Sequence, residues 1–242
     1  MQPWKWSAIE RDVLRTIALC VRVLTVRQVS KGWFEGKADE AAQKVLSRLE
    51  DAELVKRTIV EAHPVIKLER PLLTWTRGSR TPSHHQFESL AIAIRDRWNQ
   101  PHRAIEVFTA TKRAAAAFGC FVDASGLKHC EATHDLHVAE IFLRYRQHSP
   151  DAAAGWLGEA AFPKLGFTIR GMKDPDAFIV SQNGTATTIV EFSGNYEIDH
   201  LFTFHEHCAG KAAVRFANHP TFDSKSEIAR LYQFGGTNYE LW

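Results

Sequence analysis

The sequence predicts an α/β protein in which a helical amino-terminal region precedes a core of helices and strands. Apolar residues recur at helical spacing through residues 7–52. Residues 177–180 and 187–192 read as two short apolar strands around a polar Gln-Asn-Gly turn, the signature of a hairpin. Longer helical patterns, residues 134–146 and 198–216, flank this hairpin. Together these observations favour a layered α/β core over an all-helical or all-β fold.

The composition allows a substantial apolar core but no global charge excess. The chain has 242 residues, of which 45% are hydrophobic, and a net charge of +2. Any basic surface must therefore be local. Its 4 cysteines form no CxxC pair, which is typical of reduced thiols. The apolar stretch at residues 16–24 is too short to span a bilayer and no apolar leader precedes it, so we expect a cytoplasmic protein that does not enter membranes.

The amino-terminal elements follow from caps and apolar spacing. Ser7 caps a first helix, and Thr25 caps a short second helix that ends near Gly32. A third helix is predicted over residues 38–52, and alternation through 54–61 and 64–69 predicts two strands. The buried stripe of the third helix is expected to contain Ala41, Val45, Leu49 and Ala52.

This order resembles a winged helix-turn-helix domain, with the third helix as the recognition helix and the two strands as the wing. The resemblance implies contact with double-stranded DNA, since cations on the helix and wing would meet phosphates and base edges. The candidate DNA-binding residues are Lys37, Lys44, Arg48, Lys56 and Arg57. Acidic neighbours dilute this charge, and winged helices also serve as dimerisation or protein-docking modules. A homodimer therefore stays open as an alternative.

Turn-forming residues divide the rest of the chain. A polar, basic stretch begins at Arg77, and helices are predicted over residues 86–98 and 112–118. The predicted organisation is a winged helix domain (1–76), a connecting helical segment (77–126) and an α/β core (127–242).

Two carboxylates are predicted to converge at the hairpin. Asp176 begins the first strand and Glu191 ends the second, and adjacent strands lie about 5 Å apart. Such a pair suits a hard cation, so Mg²⁺ is the expected metal at Asp176 and Glu191. The alternative is that Asp176 is only a turn residue.

Pro175-Asp176 and Glu191 resemble the motif of the PD-(D/E)XK nuclease superfamily, although Ser193 replaces its lysine. The resemblance implies an α-β-β-β-α core and a Mg²⁺-dependent DNA endonuclease with Asp176 and Glu191 as catalytic residues. The family's helix acid corresponds to Glu140, and Lys211 on the last helix is the candidate replacement for the lost lysine. For Glu140 an ion pair with Arg144, four residues on, remains an equal alternative.

A broader resemblance links these parts to the replication-relaxation family of plasmid and mobile-element proteins. The matching parts are the amino-terminal domain, His134 to Val138, Trp156 to Glu159, Pro175 to Ala177, and Val190-Glu191. The likeness implies DNA binding in the processing or maintenance of a mobile element. Ser193 favours the alternative of a non-catalytic regulator whose nuclease-like core docks other proteins.

Overall fold

The computed structural model describes residues 6–36, 39–98, 100–118, 131–159, 175–181, 186–209 and 238–242. The chain forms two compact units, each built from two separate segments. The first unit contains residues 1–65 and 100–161, and the second contains 66–99 and 162–242. These units do not coincide with the three consecutive segments that the sequence predicts. All three predicted segments, 1–76, 77–126 and 127–242, are divided between the units.

The protein is a mixed α/β structure, as predicted. In the described parts of the chain, no helix is long and apolar enough to cross a membrane. In chain order the elements are α1 (Ala8–Arg15), a π-helical turn (Thr16–Cys20), α2 (Val26–Trp33), α3 (Asp39–Asp51), β1 (Val55–Ala62), β2 (Leu73–Trp75), α4 (His84–Arg95), β3 (Arg103–Ala110), α5 (Lys112–Ala117), α6 (Ala132–His148), α7 (Pro150–Ala154), β4 (Trp156–Gly158), β5 (Ala177–Val180), β6 (Ala186–Glu191), α8 (Ile198–Cys208) and β7 (Asn238–Leu241).

The first two helices begin where their capping residues predict. Ser7 and Thr25 each form a capping box, in which the cap hydroxyl and the side chain three residues later satisfy one another's backbone N–H groups. The predicted stripe of α3 is wrong at two positions. The buried residues of α3 are Ala42, Leu46 and Leu49. Ala42 and Leu46 each follow by one residue the predicted positions Ala41 and Val45. Because α3 is in contact with both α1 and α2, their packing selects the buried face.

The second strand of the predicted wing is not where the sequence places it. β1 pairs antiparallel with β3, from Val55 opposite Ala110 to Ala62 opposite Arg103, and residues 63–69 contain no strand. β3 offers buried apolar positions at Val107 and Phe108. Residues 64–69, in contrast, begin with a proline that has no N–H to donate to a ladder. β3, which is more distant in sequence, therefore pairs with β1 in place of residues 64–69.

A close backbone approach supports the π-helical turn. The indole N–H of Trp156 donates to the Cys20 carbonyl at 2.9 Å. A Cβ at Gly158 would lie 2.3 Å from the same carbonyl oxygen, so only glycine fits there. The carbonyl at the end of the turn thereby gains a partner from β4, within the first unit.

The second unit is built on a sheet in which β2, β7, β6 and β5 are successive neighbours. β5 pairs antiparallel with β6, β6 pairs parallel with β7, and β7 pairs antiparallel with β2. Aromatic rings from α4 and α8 meet at 4.5 Å between Phe87 and Phe202. The hairpin and α8 match the predicted core, whereas β2 and β7 have no counterpart in the sequence analysis.

Candidate functional site

The strand register places Asp176 and Glu191 opposite one another. Ala177 pairs with Val190, so the next pair outward is Asp176 and Glu191. Side chains alternate between the faces of a strand, which puts both acids on the face that also carries Phe178 and Ile189. The predicted convergence of the two acids is therefore observed within the second unit.

The carboxylate of each acid accepts a hydrogen bond from a backbone N–H group at or next to the other acid. The Asp176 N–H donates to Glu191 Oε2 at 3.1 Å, and the Phe192 N–H donates to Asp176 Oδ2 at 2.6 Å. The Tyr196 hydroxyl donates to Glu191 Oε1. Asp176 is 8% exposed and Glu191 is 0% exposed. This acid pair, Asp176 and Glu191, thus uses its oxygens to bind groups of its own chain.

Tyr196 is a residue of this site that the sequence analysis missed. Burial raises the pKa of its hydroxyl, and the nearby charges of Glu191 and Asp176 raise it further. Burial and the charge of Glu191 also raise the pKa of the Cys208 thiol, on α8. Both groups therefore stay protonated, and Tyr196 remains a donor to the carboxylate. Its position five residues after Glu191 belongs to no motif that would have marked it.

Ser193 occupies a position that is closed to a longer side chain. Its N–H donates to the Trp242 carbonyl at 3.1 Å and its hydroxyl donates to the same oxygen at 3.2 Å. Ser193 is 0% exposed. The place of the motif lysine is therefore filled by contacts between the end of β6 and the end of β7.

No described cation takes over the role of that lysine at the acid pair. The Arg97 guanidinium lies 5.7 Å from the Phe192 ring centroid, and alternation along the chain turns Phe192 away from the face of Glu191. Burial lowers the pKa of Arg97 to about 10, and no carboxylate contributes to this shift. Lys211 lies outside the described residues.

Glu140 does not share a unit with the acid pair. Its helix, α6, belongs to the first unit, whereas Asp176 and Glu191 belong to the second. Glu140 forms an ion pair with Lys31 of α2. This partner replaces the predicted Arg144, because tertiary packing of α2 on α6 supplies a cation that local spacing does not reveal. The carboxylate is therefore satisfied without a metal.

The fit of Mg²⁺ to the acid pair can be judged from its donors. Mg²⁺ keeps several water ligands around one or two carboxylates, but Glu191 is 0% exposed and both acids already accept hydrogen bonds. Across the described ranges, no group of three or more His, Cys, Asp or Glu side chains is placed to hold a metal. As arranged, these residues fit a hydrogen-bonded pair and do not fit a hydrated Mg²⁺ ion.

The predicted DNA-binding arginines are both engaged with acids. Arg48 forms a 2.9 Å ion pair with Glu10, a carboxylate that is 1% exposed. Arg57 contacts Glu50 at 2.7 Å and Glu106 at 3.5 Å. These carboxylates offset part of the positive charge that the sequence assigns to α3 and β1.

The predicted DNA-binding lysines have a different environment. Lys44 of α3 and Lys56 of β1 are exposed, and neither forms an ion pair with any residue that the structure describes. Lys37 lies outside the described residues. Among the described residues of this set, Lys44 and Lys56 are thus the cations that remain available to phosphate.

The chain has no significant match among protein-family models, curated proteins or solved structures.

Proposed function

We propose that this protein binds double-stranded DNA through α3 and the start of β1, as a regulator in plasmid or mobile-element maintenance. The observation that carries the proposal is the pair of exposed lysines, Lys44 and Lys56, without ion-pair partners among the described residues. The resemblance of the short motifs to the replication-relaxation family supplies the mobile-element setting. The second unit is then a nuclease-like core without cleavage activity.

The order of the elements supports a role for α3 in groove contact. The capped helix α2 packs against α3, and β1 follows α3 after a short turn. In helix-turn-helix proteins the second helix of such a pair enters the major groove and the strands that follow contact the backbone. Lys44 and Lys56 lie on these two elements. Arg48 and Arg57 have a structural role in this proposal, since acids already bind them.

The test is a salt titration of duplex binding for native protein and for the double variant Lys44→Ala plus Lys56→Ala. If both residues contact phosphates, the slope of log K against log salt should flatten by nearly two units. The matched control is Arg80→Ala plus Arg95→Ala, which removes the same charge from exposed positions of the second unit. An unchanged slope in a folded Lys44→Ala plus Lys56→Ala variant contradicts DNA contact by α3.

A metal-dependent endonuclease is the second candidate function, and the convergence of Asp176 and Glu191 is the observation that favours it. The assay is cleavage of supercoiled DNA with Mg²⁺ or Mn²⁺ by native protein, Asp176→Asn, Glu191→Gln and Lys211→Ala. We expect no cleavage by any of them, because the acids bind their own chain and Ser193 replaces the lysine. Cleavage by the native protein that Asp176→Asn abolishes, with the fold intact, favours the enzyme instead.

A further inference from the structure

The first unit contains a cavity of about 670 Å³ that the proposed DNA contact does not use. Its walls come from α1, the π-helical turn, α2, α6 and α7. Small-molecule sites in proteins commonly occupy 300–1,000 Å³ and combine apolar walls with a few placed polar groups. All of its lining residues are described and belong to one unit.

One wall of the cavity is fixed by Arg146. Its guanidinium contacts Asp12 Oδ2 at 2.7 Å, donates from Nε to the Gly32 carbonyl at 3.0 Å, and lies 4.4 Å from the ring centroid of Trp33. The Trp33 indole N–H donates to the same Asp12 oxygen at 2.9 Å. These contacts hold α1, α2 and α6 around a preformed space.

Two polar groups of the cavity have no such contacts. Thr16 is 1% exposed, and its hydroxyl has no hydrogen-bond partner in the structure. Arg15, the preceding residue, is half-buried and forms no ion pair or side-chain hydrogen bond to a described residue. A buried hydroxyl without a partner costs roughly 1–3 kcal/mol. Thr16 also begins the π-helical turn, a feature found frequently at functional sites.

The charges around the cavity favour an anionic ligand. Arg146 is paired with Asp12, and Lys31 is paired with Glu140. Glu35 also lines the cavity, so its charged side chains are three cations, Arg15, Lys31 and Arg146, against two acids, Asp12 and Glu35. The apolar part of the lining includes Trp33, Phe142, Pro150, Ala153 and Ala154.

We infer that this cavity binds a small organic anion, with its charged group at Arg15 and Thr16 and its apolar body against Phe142 and Ala153. A carboxylate, sulfonate or phosphate would serve as the charged group, since each accepts hydrogen bonds from a guanidinium and a hydroxyl. The inference is independent of DNA binding, because none of the cavity residues belongs to α3 or β1.

The experiment compares two fluorescent probes that differ in charge. The anion 1-anilinonaphthalene-8-sulfonate and the neutral N-phenyl-1-naphthylamine share the same rings. Native protein should bind the anion at one saturable site, and more tightly than the neutral probe. Arg15→Gln should weaken binding of the anion about tenfold or more and change binding of the neutral probe by less than about twofold. Arg11→Gln is the matched control, because Arg11 is an exposed cation of the same helix outside the cavity.

A blocking variant separates the cavity from other apolar surface. Ala154 is exposed at the edge of the cavity, so Ala154→Trp should fold and should displace both probes. Loss of anion binding in Arg15→Gln together with loss of both probes in Ala154→Trp supports the inference. Either of two results overturns the inference. One is that Arg15→Gln binds each probe as tightly as the native protein does; the other is that folded Ala154→Trp still binds both probes as tightly as the native protein.

Discussion

The acid pair of the second unit and the cavity of the first unit differ in whether their buried polar groups have hydrogen-bond partners. Asp176 and Glu191 are held by two backbone N–H groups and a tyrosine hydroxyl. Thr16, equally buried, has a hydroxyl without a partner. A polar group bound by its own chain stabilises the fold, whereas an unsatisfied one is available to a ligand. The acids that the motif marks are already hydrogen-bonded within the chain, whereas the unsatisfied hydroxyl lies at the cavity.

The largest expected effect is that of Glu191→Ala. Removing this carboxylate leaves the Asp176 N–H and the Tyr196 hydroxyl without their acceptor in a buried site. The free energy of unfolding should fall by about 3 kcal/mol or more, measured by urea denaturation. Glu191→Gln, which keeps an acceptor oxygen, should cost clearly less. Equal and small losses in both variants would show that the pair does not stabilise the fold.

Arg48→Ala should have the next largest effect, and it tests whether the first unit also uses charge structurally. The substitution leaves Glu10 buried without its ion-pair partner, so unfolding free energy should fall by about 1–2 kcal/mol. Lys44→Ala, on the same helix, should be close to neutral, because Lys44 is exposed and has no described partner. The measurement is the free energy of unfolding of both variants by chemical denaturation. Similar losses in the two variants would contradict a structural role for the Arg48–Glu10 ion pair.

An effect that appears only at acidic pH is expected from His207 on α8. Burial lowers the pKa of His207 to about 4, from an ordinary value of 6.5. Between these pH values the unfolded chain binds more protons than the folded one, so the histidine's contribution makes stability fall as pH is lowered from 6.5 to 4. The native protein should therefore lose more stability over this window than His207→Gln does. Parallel stability curves from pH 4 to 7 would contradict this assignment.

The smallest effect is that of Thr16→Val. Valine has nearly the same shape as threonine and removes a hydroxyl that has no partner. We expect the free energy of unfolding to stay within about 0.5 kcal/mol of native or to rise, as measured by thermal and urea denaturation. A loss of more than about 1 kcal/mol would show that the hydroxyl is satisfied within the protein in solution, and the contrast with Glu191 would disappear.

Residue types and spacing predicted those features of the fold that depend on residues close together in the sequence. Ser7 and Thr25 begin their helices because capping depends on residues within one turn. Asp176 and Glu191 meet because a hairpin fixes which residues lie opposite each other. These parts of the fold and of the site could be derived from residue types and spacing alone.

Distant pairings were the parts that the sequence did not predict. The partner of β1 is β3, and Glu140 meets Lys31. Tyr196 and the Ser193–Trp242 contact complete the acid site from positions that no motif marks. Each of these contacts depends on how elements pack, which hydrophobic periodicity does not encode. The division of the chain into two units also depends on packing, since a helix pattern does not say which unit buries the helix.

The β1–β3 ladder has a consequence for how the chain can be cut. Ala62 and Arg103 are register partners, so the ends of β1 and β3 at which the chain leaves and re-enters the first unit are adjacent in one antiparallel pair. The intervening residues, including the 66–99 segment of the second unit, form an excursion whose two ends are held together. A two-residue Asn-Gly turn joining Ala62 to Arg103 would therefore make the first unit a continuous chain with less loop-closure entropy to overcome. Independent production of the second unit requires a linker that joins residues 66–99 to residues 162–242 in their native order.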